Sequence, residues 1–362
     1  MGRLRLRSSA RAWLGAGVLV VTMLGAPALA ARLSAKTENA YAVHRLVSDV
    51  PGLAQHVDPN LVNGWGLAAL PTSPWWVADN HTDKSTLYTA DGSTVPLVVD
   101  VAGGPTGLVA NAGPNFVVRE NGKSGAARFL FDTEGGQILG WTPSVATDHA
   151  VVAVDRSGDG ALYKGLAISS AADRIYAADF HNGHVDVFDG SFNMVNDPGA
   201  FVDPNLGANY APFGIQNVGG EILVAYAKQD ADHHDEIAGA GLGFVDAYDA
   251  NGVFLERVAS HGSLNAPWGL AMAPATFASF GGDLLVGNFG DGRINAYKRM
   301  SPGNWVHDGK LKNKAGTPIA IQGLWALEFG LGAPNNGSTG KLFFTAGPAG
   351  ENHGLFGSIT TR

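Results

Sequence analysis

The chain has 362 residues, 45% of them hydrophobic, which is enough for a sizeable buried core. Its formal net charge of −8 excludes the basic face that a nucleic-acid binder needs. The lack of cysteine excludes disulfides, thiolate metal sites and cysteine nucleophiles, and the 50 glycines follow no Gly-X-Y period.

The N-terminus carries Arg3, Arg5, Arg7 and Arg11, then an apolar run over 13–25, then Ala28-Leu29-Ala30. A basic region, a short apolar run and an A-x-A site read as a signal peptide over 1–30, removed near Ala30. The expected product lives in the periplasm or outside the cell. No later apolar run is long enough for a transmembrane helix. Residues 31–42 read as a tether, and 43–362 as one domain.

That domain repeats one pattern of short strands closed by turns. Gly165-Leu166-Ala167-Ile168, Ile175-Tyr176-Ala177-Ala178-Asp179 and Val185-Asp186-Val187-Phe188-Asp189 form one copy. Gly64-Trp65-Gly66-Leu67-Ala68 opens another, and Pro267-Trp268-Gly269-Leu270-Ala271 a third. Repetition at roughly 40–58 residues, all of it strand and turn, predicts a β-propeller.

In chain order, blade one takes 64–69, 75–78, 85–89 and 95–101. Blade two takes 106–110, 115–119, 127–131 with 137–141, and 150–155. Blade three takes 164–169, 174–178, 184–188 and an outer strand near 199–202. Blade four takes 213–218, 221–227, 243–248 and 253–259. Blade five takes 268–273, 283–287, 293–298 and 305–311, with 275–282 as a loop or short helical turn. Blade six has only 324–329, 341–345 and 354–359. The unpartnered strand 43–48 is expected beside 354–359, closing the ring and removing two open sheet edges. The fold class is therefore all-β, a six-bladed propeller closed by its N-terminal strand.

The innermost strands share a glycine, at Gly66, Gly107, Gly165, Gly214 and Gly269. A position without a side chain permits close approach around the axis. In blade six the aligned position reads as Trp325, which would fill part of the channel or its mouth.

The run from Ile175 to Asp189 resembles an NHL repeat, in which one strand ends Ala-Asp and the next ends Val-Phe-Asp. Over about 43–360 the chain also resembles a family of exported bacterial proteins of unknown function, some with a PEP-CTERM-type sorting tail. Val62-Asn63-Gly64-Trp65-Gly66-Leu67, Ala178-Asp179-Phe180-His181-Asn182-Gly183, Ala227-Lys228-Gln229-Asp230, Gly287-Asn288-Phe289-Gly290-Asp291-Gly292 and His353-Gly354-Leu355-Phe356-Gly357 carry that likeness. It implies a propeller and an exported life, and no known reaction. No such tail is expected in this chain, which favours a free secreted or periplasmic form.

Loops joining the second and third strands of each blade lie on one face of a propeller, and here they are polar. Asp79, Glu120, Asp179 and Asn288 fall at equivalent strand ends, a ring of oxygen donors of the kind a hard cation such as calcium takes. The ring is similar to that of gluconolactonase-like and paraoxonase-like propellers, where a channel metal polarises a carbonyl. On that reading the chain is a calcium-dependent lactonase or esterase, with His181 or His353 as base. The competing reading is structural, since aspartates at such turns bond backbone amides.

The favoured function is a binding or interaction module. It meets a small molecule, glycan or protein at a face built from Asn80, His81, Asn182, Lys228, Asp230, His234, Asp291 and Trp325. The long polar loop 228–236 is its densest cluster. Gly122-Lys123-Ser124 lacks the upstream glycine of a phosphate loop, and no Gly-x-Ser-x-Gly elbow occurs.

Overall fold

A computed structural model describes residues 38–195 and 197–362. The signal peptide and most of the tether expected over 1–37 lie outside them. Six radial sheets stand around one axis. Blade one is Gly64–Ala68, Trp75–Asp79, Lys84–Tyr88 and Val99–Asp100, and blade four is Tyr210–Val218, Glu221–Gln229, Phe244–Tyr248 and Phe254–Ser260. Blade five is Pro267–Met272, Leu284–Asn288, Ile294–Ser301 and Asn304–Lys310, with a 3-10 turn at Ala278–Phe280 inside the expected loop.

Two blades differ from the sequence reading. In blade two the inner strand Pro105–Ala110 pairs directly with Phe129–Thr133. Residues between them form a separate hairpin, Val117–Glu120 with Lys123–Ala126. The second strand therefore ends at Thr133, and Glu120 sits at a hairpin tip instead of at the ring. Its apolar alternation was genuine, but it packs a side hairpin. Blade three has three strands, Tyr163–Ile168, Arg174–Asp179 and His184–Asp189, and 199–202 is not a strand.

The seam closes as expected. Tyr41–Ser48 runs antiparallel to Leu355–Thr361, with Tyr41 opposite Thr361 and Ser48 opposite Leu355. The strand starts at Tyr41, two residues inside the expected tether, because Tyr41 is buried and its hydroxyl donates to the Phe277 carbonyl at 3.2 Å. Ser48 ties the same seam by donating to the Gly354 carbonyl at 2.7 Å.

Each pair of neighbouring blades shares an apolar core. Trp76, Leu87, Phe129 and Phe131 join blades one and two. Leu223, Val245, Leu270 and Val286 join four and five. Fully burying each such side chain stabilises by about 1.5–3 kcal/mol.

Near the axis the blades approach closely. A Cβ on Gly107 would lie 2.2 Å from the Leu166 backbone nitrogen, and one on Gly214 would lie 2.1 Å from the Trp268 carbonyl oxygen. A Cβ on Gly269 would meet the Trp325 carbonyl oxygen and Leu327, which flank Ala326. Ala326, not Trp325, is thus the sixth member of the glycine ring. Trp325 instead belongs one position earlier, with Trp65, Thr106, Lys164, Phe213 and Trp268.

Candidate functional site

The corrected alignment sorts the axis into four layers. The first holds Trp65, Thr106, Lys164, Phe213, Trp268 and Trp325. The glycines and Ala326 form the second. The third is aliphatic: Leu67, Leu108, Leu166, Ile215, Leu270 and Leu327 surround a cavity of about 30 Å³. The fourth holds Ala68, Val109, Ala167, Gln216, Ala271 and Glu328.

Four aromatic residues of the first layer stop the channel. Trp65 stacks on Trp325 with ring centroids 3.5 Å apart, and Trp268 and Phe213 meet the same pair within 6.4 Å. Phe289 covers Trp325 from blade five at 4.1 Å. Lys164 breaks this layer. Its side chain is only 2% exposed, and its ammonium stands 5.2 Å from the Trp65 ring.

A buried ammonium needs partners, and they come from the loops above. Lys164 Nζ donates to Glu134 Oε1 at 2.7 Å and lies 3.5 Å from Asp235 Oδ1. Asn80 Nδ2 donates to Glu134 Oε2 at 3.0 Å. Asn63 Nδ2 donates to Asn80 Oδ1 at 3.2 Å and to Glu351 Oε2 at 2.8 Å. Trp325 Nε1 donates to Asn63 Oδ1 at 3.0 Å, and Trp268 Nε1 donates to the Lys164 carbonyl at 2.7 Å. One polar arc therefore runs over the aromatic plug, drawn from blades one, two, three, four and six.

Its protonation follows from burial and charge. Burial opposes the Lys164 ammonium, but Glu134, Glu236 and Asp235 overcome it and hold the group above its ordinary value. Burial likewise opposes the Glu134 carboxylate, and Lys164 and Asn80 overcome it and hold it below the ordinary range. Glu236 lacks such a direct partner; burial pushes its carboxyl up to about 8 despite Lys164. Burial also raises Glu351, against a hydrogen bond from Asn63. At neutral pH the arc thus offers a fixed cation, ionised carboxylates and a proton-bearing acid.

Of the residues named from sequence, Asn80, His234 and Trp325 come together here. His234 Nδ1 pairs with Asp235 Oδ1 at 2.9 Å, while its backbone N–H donates to Asp230 Oδ1 at 2.9 Å. Glu134 and Lys164 were missed. The hairpin hid the first by displacing the strand end of blade two. The signal for the second was present, since the residues before the five ring glycines are Trp65, Thr106, Lys164, Phe213 and Trp268, and Lys164 is the charged one among them.

The remaining candidates lie in their own surroundings. Asp179 accepts from the Leu162 and Asn182 backbone N–H groups and from Asn182 Nδ2 at 2.8 Å. Asn288 donates to the Ser263 carbonyl and to Asp291 Oδ1 at 3.0 Å. Asp79 is fully buried, with Thr86 and Lys84 of its own blade and Asp58 from the segment after the seam strand about it, and burial pushes its carboxyl well above the usual range. Glu120 Oε2 pairs with His149 Nε2 at 3.0 Å. His353 Nδ1 pairs with Asp49 Oδ2 at 2.7 Å in the seam. The exposed His181 ring lies 6.0 Å from that of His233. His81 is exposed, and Lys228 pairs across its strand with Tyr210.

Two groups among the described residues have donor atoms close enough for a metal, each within 4.8 Å of one another: Glu134, His234 and Asp235, and Asp179, His184 and Asp186. In the first, the Lys164 ammonium already sits on Glu134 and beside Asp235, so a metal ion would add like charge next to it. The second lies within blade three, where Tyr163 donates to Asp186 Oδ2 at 2.7 Å.

No family model matches the chain. Two uncharacterised proteins of Acanthamoeba polyphaga mimivirus are similar to it. One is 33% identical over 331 residues, spanning 88% of this chain and 79% of that protein. The other is 32% identical over 334 residues, spanning 88% and 85%. These relatives are viral, whereas the sequence resemblance pointed to bacteria. Among solved structures the chain is similar to a streptogramin B lyase, with TM-score 0.51, 12% identity, and coverage of 89% of this chain and 98% of that one. It is also similar to the soluble aldose sugar dehydrogenase of Escherichia coli in its apo-form, with TM-score 0.54, 13% identity, and coverage of 89% and 100%. At such identity the likeness is one of fold.

Proposed function

The chain belongs to the family of these uncharacterised mimivirus proteins, and from that premise we propose a binding propeller that takes a small hydroxyl-rich ligand at the polar mouth of its axis. The observation that carries this reading is Lys164, the one cation in an otherwise aromatic and hydroxyl layer, held by Glu134 and Asp235. A buried charge is costly unless it is paired, so a plug built only for stability would use a fourth tryptophan there. Donors and acceptors alternate along the arc, and the half-buried Trp268 and Phe289 border it. An anion would meet several carboxylates and a cation would meet Lys164. A neutral polyol satisfies both. Calorimetric titration with a monosaccharide and oligosaccharide panel tests this. Binding that Lys164→Met and Glu134→Gln abolish supports it, and binding that both variants retain contradicts it.

A calcium-dependent lactonase or esterase is the second reading, favoured by the donor spacing of Glu134, His234 and Asp235. The Lys164 contact counts against it. A thermal midpoint that rises with calcium and falls with chelator would favour it.

Export belongs to the same proposal. The arginines, the apolar run and Ala28-Leu29-Ala30 support cleavage near Ala30 and a periplasmic or extracellular product. N-terminal sequencing of the protein from the periplasm or medium of an expressing host should begin at Ala31.

A further inference from the structure

We infer that the opposite end of the axis is a second binding site, for a small organic ammonium ion whose charge pairs with Glu328. The fourth axial layer is otherwise made of small or aliphatic side chains, Ala68, Val109, Ala167 and Ala271, with Gln216 as its other polar member. Gln216 Nε2 donates to Glu328 Oε1. Among the described residues Glu328 Oε2 has no hydrogen-bond partner, yet it is not sealed among the buried unpartnered atoms. It therefore faces open space.

That space is two adjoining cavities of about 380 and 400 Å³, which share Gln216, Asn217, Gly219, Glu328 and Leu331. Leu67, Leu108, Ile168, Leu270 and Met272 supply apolar wall, with Ser169, Ser170 and Asn217 as neutral polar points on the first. No lysine, arginine or histidine lines either one. A carboxyl in such a place lacks only a counter-cation. Burial pushes Glu328 up to about 8, against the Gln216 hydrogen bond, so the empty site holds a proton where a ligand charge would sit.

A metal ion needs more oxygen ligands than one carboxylate and one amide provide. An ammonium head on an apolar body matches both the charge and the walls. Its binding ionises Glu328 and releases that proton to solvent, so affinity must rise with pH until the amine itself deprotonates.

The experiment is calorimetric titration of the full chain with n-hexylammonium chloride and, in parallel, n-hexanol. The expected result is saturable hexylammonium binding that strengthens between pH 6.5 and 8.5, with heats that depend on the buffer because a proton is released. Glu328→Gln should weaken hexylammonium by about tenfold or more, the factor carried by one pK unit, and leave hexanol unchanged. Equal affinity for hexanol and hexylammonium, an unchanged affinity in a folded Glu328→Gln variant, or no saturable binding would each overturn the proposal. The pH and buffer dependence needs only the unaltered chain, so it decides the matter should the variant fold poorly.

Discussion

The Lys164 ammonium donates to Glu134 at 2.7 Å across the boundary between blades three and two, although neither blade's own strands require the contact. It fixes the loop 133–137 over the aromatic plug and gives the mouth its one buried cation. Removing one partner of a buried pair typically costs about 3–5 kcal/mol, because the other is left uncompensated. Glu134 is 24% exposed, so Lys164→Met should fall at or below the lower end, about 2–3 kcal/mol. The double variant Lys164→Met with Glu134→Gln should recover much of that loss. Urea unfolding checks both, and a single variant as stable as the parent would remove the pair from the account.

Carboxyls held up and carboxyls held down leave opposite marks on stability. Glu236 and Glu328 are each raised to about 8 in the fold and stay near the ordinary glutamate value when unfolded. The folded state therefore binds more protons between those values, and these groups make stability fall as pH rises from about 4.5 towards 8. Glu134 is depressed; its contribution is present above the ordinary glutamate value and is lost as pH falls through its lower folded value. Denaturant midpoints at pH 5 and 8.5 should fall with pH. The fall should shrink in Glu236→Gln with Glu328→Gln. An unchanged slope in that double variant would mean these carboxyls are not raised.

Close approach at the axis predicts an asymmetry between equivalent positions. Gly214→Ala places a methyl against the Trp268 carbonyl and should cost several kcal/mol or prevent folding. Ala326→Gly, at the one blade that already carries a methyl group there, should cost about 1 kcal/mol. Circular-dichroism melts of the two variants suffice. Equal costs would show that the ring alignment is wrong.

The seam should behave as part of the core. Val47 is fully buried between the first and last blades. Val47→Asp places an unpaired charge there and should lower the melting midpoint more than Val43→Asp, since Val43 is 36% exposed. The reverse order would argue against closure through Tyr41–Ser48.

Blade number and closure were legible because apolar strands and turn glycines repeat, and because one strand was left over at the N-terminus while the last blade was one strand short. The site was less legible. A hairpin inserted between Ala110 and Phe129 has the same two-residue alternation as a blade strand, so Glu120 took the place that belongs to Thr133, and Glu134, one residue beyond it, was passed over. Reading Trp325 as the sixth glycine position shifted the axial layers of blade six by one residue. With that shift Glu328 looks like an ordinary strand residue, whereas Lys164 was already in register and was not compared with its counterparts. What sequence periodicity does convey is the rule that a repeat imposes; both candidate sites lie where one blade departs from it. Asn63, Asn80 and Glu351 reach the same arc from loops whose paths the repeat does not set.

The central claim is that the polar arc over the aromatic plug receives a hydroxyl-rich ligand. The chain has eight tryptophans, of which Trp13 lies in the segment removed on export, so the processed chain should give seven indole N–H signals, and those of Trp268 and Trp325 donate into this arc. In a two-dimensional ¹H–¹⁵N spectrum, a ligand from the saccharide panel should move these two signals saturably in the unaltered chain and leave them in place in Lys164→Met. Shifts confined to Trp76, Trp141 or Trp305, or shifts at Trp268 and Trp325 that persist in Lys164→Met, would contradict it.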